Sequence, residues 1–384
     1  MSDSSAPVAR PSPLHVSPLH DEHVALGASF TGFAGWQMPV RYSSDLAEHA
    51  AVRTAAGLFD LSHMAEIAVS GADAGVFLDY ALAGRLSTVP LLKAKYSLML
   101  GDDGGIIDDL IVYASAEAEF LVVANAANRD AVVQSLVERQ TGFEVQLVDL
   151  TEHTALIAVQ GPAARSILEE TDGLALRDDL SRGRTFDSLG YYSAMGMLWN
   201  ESAVFVARTG YTGEDGFELY VDNDQAVYLW RAILESGAPH GLVPCGLAAR
   251  DTLRLEAGMP LYGHELSRDI LPVQAGVGRV VAADKPRFVG KDAIEAGPPE
   301  DAHVLVGLRT DGKRAPRAKY AVLRGDDTVG EVTSGALSPT LGHPIAMAFV
   351  HPDHRTPGTV LDVDIRGTRV PATVVALPFY RRKA

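Results

Sequence analysis

The sequence has almost no cysteine and no long apolar segment, and each absence excludes a class of protein. Cys245 is the only cysteine among 384 residues, so neither an internal disulfide nor a cysteine-based metal cluster is expected. No apolar run reaches the roughly 18 residues that a transmembrane helix needs. Residues 1–20 lack the apolar core of a secretory signal. We therefore expect a flexible N-terminal tail over 1–20 and a cytoplasmic protein.

Positive charge is also scarce, because 33 Lys and Arg residues stand against 49 Asp and Glu residues, a formal net charge of -16. This balance argues against nucleic acid binding, which needs a basic surface. Two local basic clusters occur, at 313–324 and at 381–383. Solubility alone explains any one of these cations. Two clusters in an acidic chain favour an anionic ligand tail or an acidic partner.

Several common site motifs are missing as well. The histidines show no paired or HExxH-like spacing, so no metal site is predicted. The glycines form no dinucleotide-binding fingerprint, and neither a Walker A loop nor a nucleophile elbow is present. The chemistry must therefore come from other residue types.

The composition is that of a globular protein, with 47% hydrophobic and 21% charged residues, and the length predicts two or three domains. Helical and strand patterns alternate irregularly, which favours an α+β fold over a doubly wound sheet. Residues 61–149 read as one α+β unit. From about residue 304, short strands alternate with Gly, Pro and Asp turns, which predicts an all-β C-terminal domain of sandwich or barrel type.

The most unusual segment is 104–113, where Asp108 and Asp109 interrupt a strand rich in Ile, Leu and Val. Strand alternation places Asp109 on one face with Ile107 and Tyr113, and Asp108 on the other face. Neither face is polar, so at least one carboxylate needs a partner or a ligand. For this segment alone, a hairpin turn at 101–105 with the Asp pair beside it is the simpler explanation.

Two further segments favour a binding site. After a predicted hairpin turn at 215–216, Glu218 and Tyr220 share one strand face. That face is either solvated or the wall of a pocket, where a carboxylate could bind two adjacent N–H donors of a flat heterocycle. A helix predicted from Leu247 carries Arg250 and Arg254 on one face. They could be surface ion pairs, but cations near a helix N-terminus are disfavoured and suggest a binding role.

Residue His63 is a conceivable general base, although a structural histidine beside apolar residues is the simpler interpretation. Met64 and Trp36 are core residues by default. From the residues alone, we predict a pocket lined by Asp109, Glu218, Tyr211 and Arg250. These residues do not by themselves identify a reaction.

Taken together, these segments resemble the glycine cleavage T-protein family of aminomethyltransferases. The similarity runs in order from about residue 18 to the C-terminus. One departure is Leu61, which stands where the family usually has Val. The segments that carry the resemblance are AGWQMP at 34–39, FDLSHM at 59–64, GGIIDDLIV at 104–112, residues 208–218, residues 246–258, VTSG at 332–335 and LPFY at 377–380.

The resemblance implies three domains in a cloverleaf around a central channel, with a β-rich, barrel-like last domain. The first domain would be discontinuous, joining 21–60 to 150–280. The second, 61–149, would carry the catalytic Asp, and the third would cover 285–384.

The resemblance also implies an activity: the aminomethyl carbon passes from the lipoyl arm of H-protein to tetrahydrofolate. Ammonia is released, and 5,10-methylenetetrahydrofolate and dihydrolipoyl H-protein form. The implied partners are lipoylated H-protein and folate, with no metal, nucleic acid or membrane. By position, Asp109 matches the catalytic carboxylate. The folate-contacting or pocket-lining positions match Glu218, Arg250, Tyr96, Tyr211, Met64 and Tyr380.

Two other folate-binding groups compete with this interpretation. Enzymes that oxidise dimethylglycine or sarcosine usually carry a flavin domain, for which this chain has neither the fingerprint nor the length. Folate-binding scaffolds for iron–sulfur assembly carry a Lys-Gly-Cys-Tyr-x-Gly-Gln-Glu motif, whereas Cys245 stands here in Pro-Cys-Gly. The sequence therefore favours the transferase.

Overall fold

The computed structural model describes residues 13–382. Their strands form a three-stranded sheet, a five-stranded sheet, a seven-stranded sheet and a closed six-stranded barrel, with helices packed between and around them. The predicted α+β class is confirmed. The sequence left a sandwich and a barrel open for the C-terminal domain, and the structure shows a barrel.

The strands and helices are numbered in chain order. The strands are β1 His15–Val16, β2 Ser29–Phe33, β3 Trp36–Arg41, β4 Ala56–Asp60, β5 Ala65–Ser70, β6 Ala94–Leu100, β7 Ile106–Ala116, β8 Glu119–Ala124, β9 Gln146–Asp149, β10 Thr154–Gln160, β11 Leu174–Ala175, β12 Ala194–Trp199, β13 Ser202–Ala207, β14 Gly216–Asp222, β15 Leu242–Pro244, β16 Val304–Thr310, β17 Ala321–Arg324, β18 Asp327–Leu337, β19 Pro344–Val350, β20 Val360–Ile365 and β21 Thr368–Val375. The helices are α1 His20–Ala25, α2 Asp45–Thr54, α3 Ala74–Ala81, α4 Arg129–Arg139, α5 Ala164–Glu169, α6 Asp178–Ser181, α7 Asn223–Gly237, α8 Leu247–Glu256 and α9 Lys291–Ala296.

The seven-stranded sheet is built from two separate parts of the chain. Its order is β11-β12-β13-β14-β10-β4-β15, so β4 from the first sixty residues lies between strands that follow residue 150. Helices α5 and α7 cover one face. Trp230 of α7 and Phe217 of β14 lie in the apolar core between the helices and the sheet. We propose on this basis that 21–60 and 150–280 form one domain.

The five-stranded sheet, in the order β6-β7-β8-β5-β9, lies entirely within 61–149. Alternating residues of β5, Ala65, Ile67 and Val69, pack against α3 and α4 on one face. The opposite face meets the seven-stranded sheet, and Tyr113 and Val123 contact its apolar residues there. Two facing sheets thus enclose the centre of the molecule.

The barrel closes in the order β16-β19-β18-β17-β20-β21 and is filled with aliphatic side chains. Helix α8 joins it to the rest of the molecule, because Leu255 packs in a cluster with Ile345 and Met347 of the barrel. The helix also contacts α2 and β3. Helix α8 therefore contacts the barrel on one side and α2 and β3 on the other.

The predicted N-terminal tail is wrong for residues 13–20. Strand β1 pairs in parallel with β3, and Ser17 and Leu19 are buried. Leu19 belongs to the core of the seven-stranded sheet, so its burial comes from distant residues that no local pattern reveals. Residues 1–12 lie outside the described part of the chain. No helix within 13–382 is long and apolar enough to cross a membrane.

Candidate active site

A cavity of about 710 Å³ lies where the two facing sheets meet the barrel. Its volume is in the range of small-molecule binding sites. Three parts of the fold form its wall. The five-stranded sheet contributes Tyr96, Asp109, Ile111 and Val123, and the seven-stranded sheet contributes Leu156, Glu218 and Tyr220. The C-terminal region contributes Val306, Gly307, Val375, Leu377 and Pro378. The cavity thus has the central position that the cloverleaf arrangement implies.

Residue Asp109 reaches this cavity from β7 and is held by two donors. The Tyr96 hydroxyl donates to Oδ2 at 3.1 Å, and the amide of Asn125 donates to Oδ1 at 2.8 Å. The side chain stays partly open toward the cavity. Burial raises the pKa of Asp109, while Tyr96, Asn125 and Arg250 oppose the rise.

Residue Asp108 is fully buried on the other side of the strand. It accepts hydrogen bonds from the backbone N–H of Asn125 at 2.9 Å and from the amide groups of Asn125 at 2.9 Å and Asn128 at 2.6 Å. Burial and the neighbouring Asp109 charge raise the pKa of Asp108. Its partners are thus one backbone group and two amides.

A register shift between β6 and β7 falls directly before the doublet, where Met99 pairs with Asp108 and Leu100 with Ile106. This bulge leaves Ile107 without a pairing partner. The predicted alternation is therefore wrong for Ile107, which packs with Leu110 in the helix-covered core instead of beside Asp109.

Residue Glu218 faces the cavity from β14, on the opposite sheet. The Thr209 hydroxyl donates to its Oε2, and the Tyr113 hydroxyl lies 3.5 Å from the same oxygen. Among the described residues, no donor reaches Oε1. Burial raises the pKa of Glu218, and the Thr209 hydrogen bond and the Arg250 charge counteract it. One carboxylate oxygen is thus anchored, and the other is left for a ligand.

The two arginines of α8 have different environments. The guanidinium carbon of Arg250 lies 4.7 Å from the ring centre of Tyr211, at the cavity wall. The Tyr211 hydroxyl donates to the backbone oxygen of Pro260. Arg254 turns away and pairs with Asp251 at 2.8 Å and Glu265 at 3.1 Å. No ion pair to Arg250 forms within residues 13–382, so its charge is available to a ligand.

The structure brings six of the seven sequence-predicted site residues to this cavity, Met64 included. The exception is Tyr380, whose ring centre lies 4.1 Å from the guanidinium carbon of Arg53, away from the cavity lining. Leu377 and Pro378 line the cavity in its place. The Leu-Pro-Phe-Tyr segment thus reaches the site with its first two residues rather than its last.

The cations at the cavity are also different from those that the sequence emphasised. Arg279 and Arg355 belong to its lining, whereas the exposed cluster at 313–324 does not. Arg382, from the C-terminal cluster, forms an ion pair with Asp215 at 3.3 Å. A single arginine such as Arg279 or Arg355 cannot be recognised as a site residue from the sequence, because no neighbouring cation or motif marks it.

Residue His63 is buried, and neither ring nitrogen has a hydrogen-bond partner among the described residues. Burial lowers its pKa to about 3, and the nearby Arg250 charge acts in the same direction. A histidine that is neutral throughout the physiological range is a poor candidate for a proton acceptor that must become charged. His63 is thus buried as a structural histidine, in ring contact with Phe33, but without a hydrogen bond among the described residues.

Sequence reasoning missed Asn125 and Tyr192, which also line the cavity. Asn125 follows β8 directly, and its nearest neighbours in sequence are alanines. Asn is common at strand ends, so the sequence gives no signal for this residue. Its role becomes visible only once β8 pairs with β7.

Family models match nearly the whole chain. Residues 19–285 match the GCVT N-terminal domain, and residues 303–381 match the glycine cleavage T-protein C-terminal barrel domain. The chain belongs to the glycine cleavage T-protein family.

Individual relatives agree with this assignment. An aminomethyltransferase from Cutibacterium acnes is 54% identical over 375 residues, covering 96% of this chain and 99% of the relative. Another from Saccharopolyspora erythraea is 55% identical, covering 96% and 98%. The crystal structure of glycine cleavage system aminomethyltransferase T from Bartonella henselae superimposes with a TM-score of 0.86 at 35% identity, covering 96% and 98%.

Proposed function

We propose that the central cavity binds tetrahydrofolate and that Asp109 is the catalytic carboxylate of aminomethyl transfer. The activity is that of the family: the chain is an aminomethyltransferase of the glycine cleavage system. One observation carries the assignment of the site. A partly open carboxylate, Asp109, shares one cavity with the half-anchored Glu218 and the unpaired cation Arg250.

The chemistry explains why a buried carboxylate is useful at this position. Loss of ammonia from the aminomethyl group passes through a cationic, iminium-like centre, which a fixed negative charge stabilises. A carboxylate with a raised pKa also accepts a proton from a folate nitrogen more readily than an ordinary one. The folate then leaves as 5,10-methylenetetrahydrofolate, and the lipoyl arm of H-protein is released in its dihydrolipoyl form.

The pterin is oriented by Glu218. Its free Oε1 and the anchored Oε2 match the two adjacent N–H donors of the amino-pyrimidine edge, and such charge-assisted pairs are about twice as strong as neutral hydrogen bonds. Tyr211, held by Arg250 and Pro260, offers a ring face to the heterocycle. Tyr96 and Met64 complete the pocket around the ring.

Two exposed arginines suit the anionic end of the ligand. Arg279 and Arg355 lie at the cavity rather than in the barrel cluster, so we assign the glutamyl tail of folate to them. Lipoylated H-protein must also approach a cavity opening, since its arm delivers the aminomethyl group. A chain with one buried cysteine suits the reducing cytoplasm.

The two alternative folate-binding functions receive less support. Relatives at 54% and 55% identity over 96% of the chain carry the name aminomethyltransferase. A scaffold function would also leave the paired carboxyls on β7 without a purpose. The transferase is therefore the preferred function.

The test uses wild-type protein with aminomethyl-loaded, lipoylated H-protein and tetrahydrofolate. We expect methylenetetrahydrofolate and ammonia in equal amounts, each dependent on both substrates. Calorimetry should separately detect tetrahydrofolate binding with one site per chain. Failure to bind tetrahydrofolate would overturn the assignment of the cavity, and binding without turnover would overturn the assigned reaction.

A further inference from the structure

One amide group connects both carboxylates of the doublet. The Asn125 Nδ2 atom lies 2.9 Å from Asp108 Oδ1, 2.8 Å from Asp109 Oδ1 and 3.0 Å from the Asp109 backbone oxygen. Side chains of successive strand residues normally point to opposite faces. The bulge at Ile107 lies beside the point where this amide reaches both.

The hydrogen bonds of Asp108 are those of a carboxylate acceptor. All three of its partners are N–H groups, two from Asn125 and one from Asn128. Three N–H donors favour the ionised form. They act against burial and the Asp109 charge, which raise the pKa of Asp108. The charge on either carboxyl therefore depends on the charge of the other.

We propose that Asp108 is a positioning residue for aminomethyl transfer, which fixes the direction of the Asp109 carboxyl through Asn125 and couples its proton affinity to a second carboxyl behind it. This inference rests on the proposed function of Asp109. Negative charge on Asp108 makes Asp109 a stronger proton acceptor, because two carboxylates in contact with one amide repel each other. Asp108 itself stays buried and does not touch the cavity.

Glu218, across the cavity on β14, has a pKa that burial raises, and it is unchanged in these variants. The other ionisable groups around the doublet do not change charge near neutral pH. Burial raises the pKa of each nearby tyrosine above its ordinary value and leaves these phenols neutral, while the arginine stays charged. These groups are Tyr96 on β6, Tyr192 before β12, Tyr211 before β14, Tyr262 after α8 and Arg250 on α8. A difference in the pH dependence of turnover between wild type and variant therefore reports on the doublet.

The first test is the pH dependence of single-turnover transfer in Asp108→Asn. In the wild type, turnover falls at acidic pH as Asp109 becomes protonated and can no longer accept a proton. Replacing the Asp108 carboxyl by a neutral amide removes the repulsion between the two carboxyls and lowers the pKa of Asp109, so the acidic limb should move to lower pH by about one unit. The rate on the plateau should fall several-fold. Asp102→Asn, which removes an exposed charge from the preceding turn, is the matched control and should leave the limb in place.

A second variant predicts the opposite shift and does not depend on the stability of the first. Asn125→Ala removes the amide N–H that favours ionised Asp109, so its acidic limb should move to higher pH, while the Asp108 carboxyl remains. If Asp108→Asn does not fold, judged by circular dichroism, Asn128→Ala takes its place. It removes a donor that reaches Asp108 and not Asp109, which disfavours ionised Asp108, so the limb should move to lower pH.

The outcomes separate the two proposals. An inactive wild type would overturn the proposed function and, with it, this inference. An active wild type whose acidic limb stays unmoved in Asp108→Asn, or in Asn128→Ala when Asp108→Asn does not fold, would overturn the positioning role alone. A merely structural role for Asp108 would lower the rate without moving the limb.

Discussion

At the scale of single residues, the two carboxyls that face the cavity differ in how their oxygens are hydrogen-bonded. Asp109 and Glu218 are both carboxyls with a raised pKa, yet Asp109 has donors on both oxygens and Glu218 on one. The free oxygen suits binding, whereas the fixed carboxyl suits proton transfer. The two residues should therefore respond differently to the loss of charge.

We expect Glu218→Gln to weaken tetrahydrofolate binding by roughly 1–3 kcal/mol, because the ligand loses a charged hydrogen-bond acceptor. Isothermal titration calorimetry of both proteins measures this difference. Glu235→Gln, the same change on the exposed face of α7, is the control and should bind like the wild type. Equal affinities for wild type and Glu218→Gln would rule out the assigned pterin contact.

Much of the site could be predicted from residues, and the reasons for the misses are physical. Asp109, Glu218 and Arg250 stand out because carboxylates in apolar strands and cations at a helix N-terminus need a partner. Asn125 gives no such signal, since an amide beside alanines is unremarkable until two strands pair. Tyr380 was assigned by position, and its actual contact with Arg53 depends on how the chain end crosses the barrel.

At the scale of elements, sequence patterns predict the helix and the strands that carry the site residues, and local irregularities decide how those residues are placed. Helix α8 begins at Leu247 as predicted and is followed by Gly258 with φ 64°. Asn128, a plausible helix cap, makes no capping bond and gives its amide to Asp108 instead. The bulge in β7 is invisible to alternation, because it follows from pairing with β6.

The start of β7 depends on a close backbone contact at Gly105. A Cβ atom there would lie 1.9 Å from the backbone oxygen of Arg268, so the strand or its neighbour must move. We expect Gly105→Ala to lower the free energy of unfolding by roughly 2 kcal/mol and to reduce turnover through displacement of the doublet.

Chemical denaturation and the transfer assay measure the two effects. Gly190→Ala is the matched control, because a Cβ there meets only atoms at 3.6 Å. Unchanged stability and turnover in Gly105→Ala would show that the contact does not position β7.

At the scale of the molecule, a buried charge cluster holds the barrel to the other domains. Glu256 at the end of α8 binds Arg53 of α2 at 2.7 Å and His49 at 3.2 Å, and it accepts from Thr340 and Ser338 of the barrel. Burial alone would raise the pKa of Glu256, but these partners lower it to about 2. The ionised form is therefore strongly favoured in the folded state.

The depressed pKa gives a pH dependence with a defined sign. Ionised Glu256 stabilises the fold above its ordinary pKa of 4.5, and this contribution disappears as the pH falls from there toward 2. We expect Glu256→Gln to lower the free energy of unfolding by roughly 3 kcal/mol at pH 7, and by clearly less near pH 3. Denaturant titrations of wild type, variant and the Glu235→Gln control measure the difference. A difference that stays constant with pH would contradict this role.

The large-scale organisation was the hardest part to derive from the residues themselves. An all-β C-terminal domain follows from its turns, but its barrel form and the pairing of β4 with strands a hundred residues later came only from family resemblance. The burial of Leu19 depends on this same long-range assembly. Contacts between distant segments leave no periodic trace in a single sequence.

The central claim, that Asp109 performs the chemistry in a folate cavity, is tested most directly by Asp109→Asn. The measurement is methylenetetrahydrofolate formed from aminomethyl-loaded H-protein, alongside the tetrahydrofolate dissociation constant, with Asp102→Asn as the control. We predict at least about a hundredfold slower transfer, with tetrahydrofolate affinity within a few-fold of the wild type. Transfer at the wild-type rate in Asp109→Asn would contradict the catalytic role of this carboxylate.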